Sequence, residues 1–179
     1  MIGPDAGAGL YPQEHMLMTH DTPHLDSDTM TAASGKDAKK QLAGLLKNFV
    51  DNVPRVTHAL LISRDGLSLV DSEIHKDWAD KWAATLGSLA SLSENIPGPG
   101  GGRAALRLAL IERGDALIFV SIAGTSAAFP NQPGNTAGMV DTVLAVIAEP
   151  AADAGTVGFE MGQLVDRFAP YMVAPVRSA

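Results

Sequence analysis

The chain has 179 residues, of which 46% are hydrophobic, 18% charged and 5% aromatic, with no cysteine and a formal net charge of −7. That length suits one domain of ordinary size plus a tail, and the missing cysteines exclude disulfides, thiol nucleophiles and cysteine-ligated zinc. Residues 1–35 hold five acids (Asp5, Glu14, Asp21, Asp26 and Asp28) and no Lys or Arg, so the rest of the chain is nearly neutral. It offers no basic cluster for nucleic acid or for an anionic membrane surface.

Residues 1–35 show no apolar period and read as a disordered acidic tail, leaving residues 36–179 as the folded domain. From 37 to 52, Leu42, Leu45, Leu46, Phe49 and Val50 recur at helical spacing, with Val53 and Pro54 beyond to end the helix. Two strands follow, at 56–63 and 67–72, joined by Arg64-Asp65-Gly66, whose Asp-Gly pair is a hairpin signal. A second helix is expected from Asp77 to about Ser93. Its apolar face is read as Trp78, Trp82, Leu86, Leu89 and Ala90, and its many small residues suit close approach to another helix.

The glycine-rich stretch 97–102 breaks the chain. Strands are expected at 103–112 and 116–123, then a loop over 124–139 and a fifth strand at 142–148. Asp153 or Thr156 opens a last helix whose apolar set is Val157, Met161, Leu164, Val165, Phe168 and Met172, with Pro170 expected to bend or end it. The order α-β-β-α-β-β-β-α implies an α+β fold, one five-stranded antiparallel sheet with flanking helices. No apolar run reaches the ~18 residues that span a bilayer, and no secretory signal opens the chain. A cytoplasmic location is expected.

Chemistry is sparse. Gly98 to Gly102 lacks the Gly-Lys-Ser/Thr and the helix start of a phosphate loop, and a strand follows instead. His15, His20 and His24, with Glu14 and Asp21 nearby, sit in the tail without the fixed geometry a zinc site needs. Ser63, Ser68, Ser72, Ser88 and Ser91 have no nucleophile elbow around them. No catalytic residue, cofactor site or metal site is therefore expected. Trp78 and Trp82, one turn apart, either fill the core or mark an interface, where tryptophan is enriched.

The stretch Val53-Pro54-Arg55-Val56 leading into His58-Ala59-Leu60-Leu61-Ile62-Ser63-Arg64-Asp65-Gly66-Leu67 resembles the roadblock (dynein light chain) family. So do Leu144-Ala145-Val146-Ile147-Ala148 and Gly155-Thr156-Val157-Gly158-Phe159-Glu160-Met161. The likeness spans roughly residues 38–172 and is greatest to bacterial members encoded beside small Ras-like GTPases. It implies a roadblock/profilin-like fold and a homodimer in which the 103–112 strands pair and the second helices pack together. The joined surface would engage a GTPase, with Lys76, Trp78, Lys81, Trp82, Leu89, Arg103 and Leu106 at the partner or dimer interface. Two functions follow as expectations. One is a non-enzymatic regulator that fixes the switch loops of the GTPase or donates an arginine, for which Arg55, Arg64 and Arg113 are placed. The other is a scaffold that docks a membrane sensor complex, peripheral to the membrane, without effect on GTP turnover. The glycine-rich 97–102 loop, the long 124–139 loop and the acidic tail depart from the family pattern.

Overall fold

A computed structural model describes residues 27–129, 132 and 139–173. In chain order these residues form α1 (Ser27–Asn52), β1 (Val56–Ser63), β2 (Ser68–Asp71), α2 (Lys76–Glu94), β3 (Ala109–Glu112), β4 (Leu117–Ser126), β5 (Val140–Ala148) and α3 (Ala154–Arg167). A 3₁₀ turn (Ala169–Tyr171) and a two-residue β6 (Met172–Val173) follow. The sheet is antiparallel in the order β2-β1-β5-β4-β3, with β6 pairing the far end of β4.

The sheet separates two apolar layers. Alternation along a strand sends successive side chains to opposite faces. On β5, Leu144, Val146 and Ala148 join Leu42, Leu46 and Phe49 of α1 and Val157, Met161 and Leu164 of α3. Val143, Ala145 and Ile147 join Ala83, Leu86 and Ala90 of α2 instead. The two central strands, β1 and β5, are covered on both faces, which is why they read as unbroken apolar runs in the sequence.

Several expected boundaries move. The first helix begins at Ser27 instead of Asp37, so residues 27–35 leave the tail. Asp26, Ser27 and Asp28 are residue types that favour helix starts, and a helical backbone carries on through Ala32 and Ala33 without needing an apolar period. Residues 1–26 lie outside the described residues. The third strand covers only Ala109–Glu112 instead of 103–112. Among the described residues it is an edge strand paired to β4 alone, from Ala109 opposite Val120 to Glu112 opposite Leu117, and residues 103–108 have no ladder partner there. The fourth strand runs on to Ser126 and the fifth starts at Val140, which shortens the 124–139 connection. Met172 belongs to β6 and not to the last helix, because Pro170 diverts the chain into a 3₁₀ turn.

Local chemistry explains the joints. In the hairpin turn, Gly66 at φ +86° lets its N–H reach the Ser63 carbonyl, while the Ser63 N–H donates to Leu67. Asp153 caps α3, its Oδ1 accepting the Thr156 N–H at 2.6 Å, which keeps that carboxyl below its ordinary range.

The orientation of α2 departs from expectation. Its buried stripe is Ala79, Ala83, Leu86, Gly87 and Ala90, so Leu86 and Ala90 of the expected face are buried, Trp82 packs half-buried against the core and Trp78 is 55% exposed. The small residues serve packing inside the protomer. A Cβ on Gly87 would stand 2.9 Å from the Gly66 Cα, and one on Gly66 would stand 2.9 Å from the Ala84 Cα. Backbone therefore meets backbone where α2 crosses the hairpin, and no larger side chain fits between them.

Candidate partner interface

Lying that low on the sheet, α2 buries Leu86 but leaves its other large apolar residues along an outer stripe, which Ile96 continues past the helix end. Trp78, Trp82, Leu89, Leu92 and Ile96 recur at alternating steps of four and three residues, with Thr85 completing the series. Trp82 and Leu89 are half-buried, whereas Leu92 and Ile96 are 66% and 69% exposed. Exposed apolar residues that line up in this way make a contiguous apolar patch, unlike scattered ones.

The N-terminal end of the stripe is the more elaborate. Lys76 Nζ bonds Asp80 Oδ2 at 2.5 Å, one turn along, and both are exposed. Lys81 Nζ stands 5.1 Å from the ring centroid of Trp78, within cation–π range. The Trp78 and Trp82 rings are 6.0 Å apart, and Trp82 meets the His58 ring edge-on at 5.2 Å. Burial beside Trp82 pushes the His58 imidazole below its ordinary pKa. These rings line a groove of about 530 Å³ together with Arg113, Asp115, Ile118 and Ile147.

At the other end of α2, Arg64 binds both carboxylate oxygens of Glu94, and Glu94 Oε1 also accepts the Leu106 N–H at 3.2 Å. The Arg64 bonds first, then the Leu106 amide, hold the Glu94 carboxyl below its usual range. This clamp ties the hairpin turn, the end of α2 and the approach to β3 together. Leu106 packs half-buried against the α2-side core, while Arg103 is exposed.

The structure thus gathers Lys76, Trp78, Lys81 and Trp82 at one end of α2, and Leu89 and Leu106 towards the other, with Arg103 just beyond. All seven border one face of the sheet. His58 and Ile118 also belong to that surface and were not placed there from sequence, and Leu92, read from sequence as lying beside the apolar face of the second helix, joins them. Leu92 was legible in the four-three spacing. His58 was not, since only folding brings β1 under Trp82. Leu108, Leu110 and Phe159 are exposed as well. Leu108 Cδ2 lies 3.4 Å from where a Gly158 Cβ would stand, which places it against α3.

Several hydroxyls offered as nucleophiles serve the backbone. Ser63 Oγ accepts the Leu67 N–H, Ser72 Oγ accepts the Ala59 N–H and Ser88 Oγ donates to the Ala84 carbonyl. The glycine-rich loop closes on itself, with Gly98 N–H bonded to Gly102 O and Gly101 N–H to Gly98 O. Among the described residues no three His, Cys, Asp or Glu converge as a metal site would require. His15, His20 and His24 lie outside the described residues. No helix among the described residues is long and apolar enough to cross a membrane.

Comparison with known proteins agrees with this architecture. The family model for the Roadblock/LC7 domain matches residues 42–128. A Roadblock/LC7 domain from Streptomyces avermitilis is 35% identical, with a TM-score of 0.57 over 72% of this chain and 94% of that one. MglB, a gliding protein of Thermus thermophilus, superimposes with a TM-score of 0.58 at 16% identity, over 74% of this chain and 89% of that one. MglB of Myxococcus xanthus gives 0.55 at 9% identity, over 73% and 93%. No curated protein sequence matches the chain.

Proposed function

This chain belongs to the Roadblock/LC7 family, and from that membership we propose that it is a dimeric, non-enzymatic partner and regulator of a small Ras-like GTPase. The observation that carries the reading is the coincidence, on one side of the protomer, of an exposed apolar stripe on α2 and an edge of β3 without a strand partner among the described residues. An open edge invites pairing with another chain. A second copy supplying its own β3 would extend the short ladder, and residues 103–108 would gain the partner they lack. The same two-fold would bring Leu89, Leu92 and Ile96 of both copies towards each other. MglB, a structural neighbour at 17% identity, has been solved in a tetrameric arrangement, so self-association occurs on this fold.

The GTPase would then rest on the N-terminal halves of the joined α2 helices, where Trp78 and Trp82 supply anchors and Lys76 and Lys81 a charged rim. Positioning of the switch loops is favoured over a donated arginine. Arg55 is held by Glu149 at 2.9 Å, Arg64 by Glu94 and Arg113 by Asp115 at 2.8 Å, so each of the three placed arginines would first have to break an ion pair. The test measures GTP hydrolysis and nucleotide exchange of a candidate small Ras-like GTPase from the same organism, with and without the protein. A change in either rate supports regulation. Stable association with neither rate altered favours the scaffold. Light scattering at micromolar concentration checks the dimer, and a mass staying near 18.6 kDa would rule it out.

A further inference from the structure

The opposite edge of the sheet carries a second open strand. β2 pairs β1 on one side and no strand on the other among the described residues. Its free edge lies at the bottom of a groove of about 510 Å³ between α1 and α2. Lys36, Lys39 and Lys40 line the α1 side and Lys76 the α2 side, all exposed. Asp80 neutralises Lys76, and Asp71 Oδ1 accepts the Ile74 N–H. Lys36, Lys39 and Lys40 have no ion-pair partner among the described residues. Lys47, further along α1, is already held by Glu73 at 2.8 Å. The groove is thus a strand-shaped slot with surplus positive charge, the chemistry that takes an extended acidic segment.

We propose that this slot seats the chain's own N-terminal segment, residues 13–22, as an added strand on the edge of β2. Residues 1–26 carry Asp5, Glu14, Asp21 and Asp26 and no Lys or Arg, so their charge is the complement of the lysine rim. Within them, 13–22 (QEHMLMTHDT) is the one long stretch free of proline and glycine, bracketed by Pro12 and Pro23. Proline cannot donate to a ladder, and this stretch can. Its acids stand near both ends, with Met16, Leu17, Met18 and Thr19 between them. The length also fits. Helical residues 27–36 carry the chain about 15 Å at ~1.5 Å each. A span of four residues, the length of 23–26, reaches at most roughly 13–14 Å when extended, enough to return to the level of Lys36. With no apolar period of its own, the segment needs a template, and an edge strand is one. Because β2 and β3 are opposite edges of the sheet, the slot stays open whether or not β3 pairs with a second copy.

The test exploits the absence of cysteine. Met16→Cys in the full chain gives a single thiol for a nitroxide label, and amide signals are read by NMR. Seated as proposed, the label broadens the amides of Ser68–Asp71 and of Lys36, Lys39 and Lys40 while sparing β3. The broadening is relieved by high salt and by Lys36→Glu with Lys39→Glu and Lys40→Glu, and also by Leu17→Pro, which leaves the slot itself untouched. No selective broadening of β2 would overturn the proposal. Broadening of isotope-labelled chains mixed with separate nitroxide-bearing chains would equally overturn it, by putting the segment in the slot of a second copy.

Discussion

The two faces of the sheet are built to different specifications. On one, α1 and α3 together bury Leu42, Leu46, Phe119, Met161, Leu164 and Phe168 to 1% exposure or less. On the other, α2 alone rests on the strands through alanine, glycine and Leu86, and leaves Trp78 and Leu92 more than half exposed, as is Ile96 just past its end. The first face is closely packed at its centre, although Phe159 on α3 stays 65% exposed at its rim. The second is thinner, and its exposed apolar residues form the patch proposed as the partner surface.

Large-to-small substitution should separate the faces most sharply. Leu164→Ala removes a side chain buried in the core that α1 and α3 share with the sheet, and is expected to cost about 2–5 kcal/mol. Trp78→Ala, though it deletes more atoms, should stay within about 0.5 kcal/mol in the isolated protein. Denaturant melts of the two variants make the comparison. Similar losses would mean that Trp78 already has its cover.

Next in size is Gly87→Ala. The added Cβ meets Gly66 backbone at 2.9 and 3.0 Å and the Ser63 carbonyl at 3.1 Å, and backbone cannot swing aside as a side chain can. A loss of about 1–3 kcal/mol is expected, read as a lower denaturation midpoint. A neutral or stabilising result would show that α2 is free to lift from the hairpin. Its outer stripe would then be less fixed than described.

Acidification should act more gently and in two stages. His58 is depressed by burial, so the unfolded imidazole takes its proton first, near the ordinary 6.5. The stability it carries is complete above that pH and declines as pH falls towards the lower folded value. Glu94 is depressed by Arg64 and by the Leu106 amide. Its contribution is complete above the ordinary 4.5 and is lost as pH drops through its folded value. Melting temperatures of His58→Gln should therefore fall less than those of the unaltered protein between about pH 7 and about pH 5. Identical slopes would place the His58 ring in solvent.

Much of this was legible in the sequence, for reasons that differ by element. Asp65-Gly66 announced its turn because left-handed backbone demands such residues, and Asp153 announced a helix start because a carboxylate satisfies free amides there. β1 and β5 stood out because strands covered on both faces have no polar side to show. The length of β3 was not readable, since an edge strand ends where its neighbour stops pairing, and that depends on residues elsewhere. Nor was the rotation of α2. Its sequence holds a stripe of alanine and glycine beside a stripe of tryptophan and leucine, and hydrophobicity favours burying the second. The contact of Gly66 with Gly87 decides for the first, and those residues meet only in the fold. Of the interface residues, the tryptophans and lysines could be named from one helix. The wall that His58 and Ile118 add to them comes from distant strands.

The central claim is that the thin face is where a GTPase binds, and Lys81→Glu tests it most directly. Lys81 is exposed and lies over the ring of Trp78, so melting should stay within about 0.5 kcal/mol of the unaltered protein. Affinity for the cognate small Ras-like GTPase, measured on the same preparation, should fall at least tenfold, or about 1.4 kcal/mol. Unchanged melting with unchanged affinity would contradict the account and move the partner to another surface.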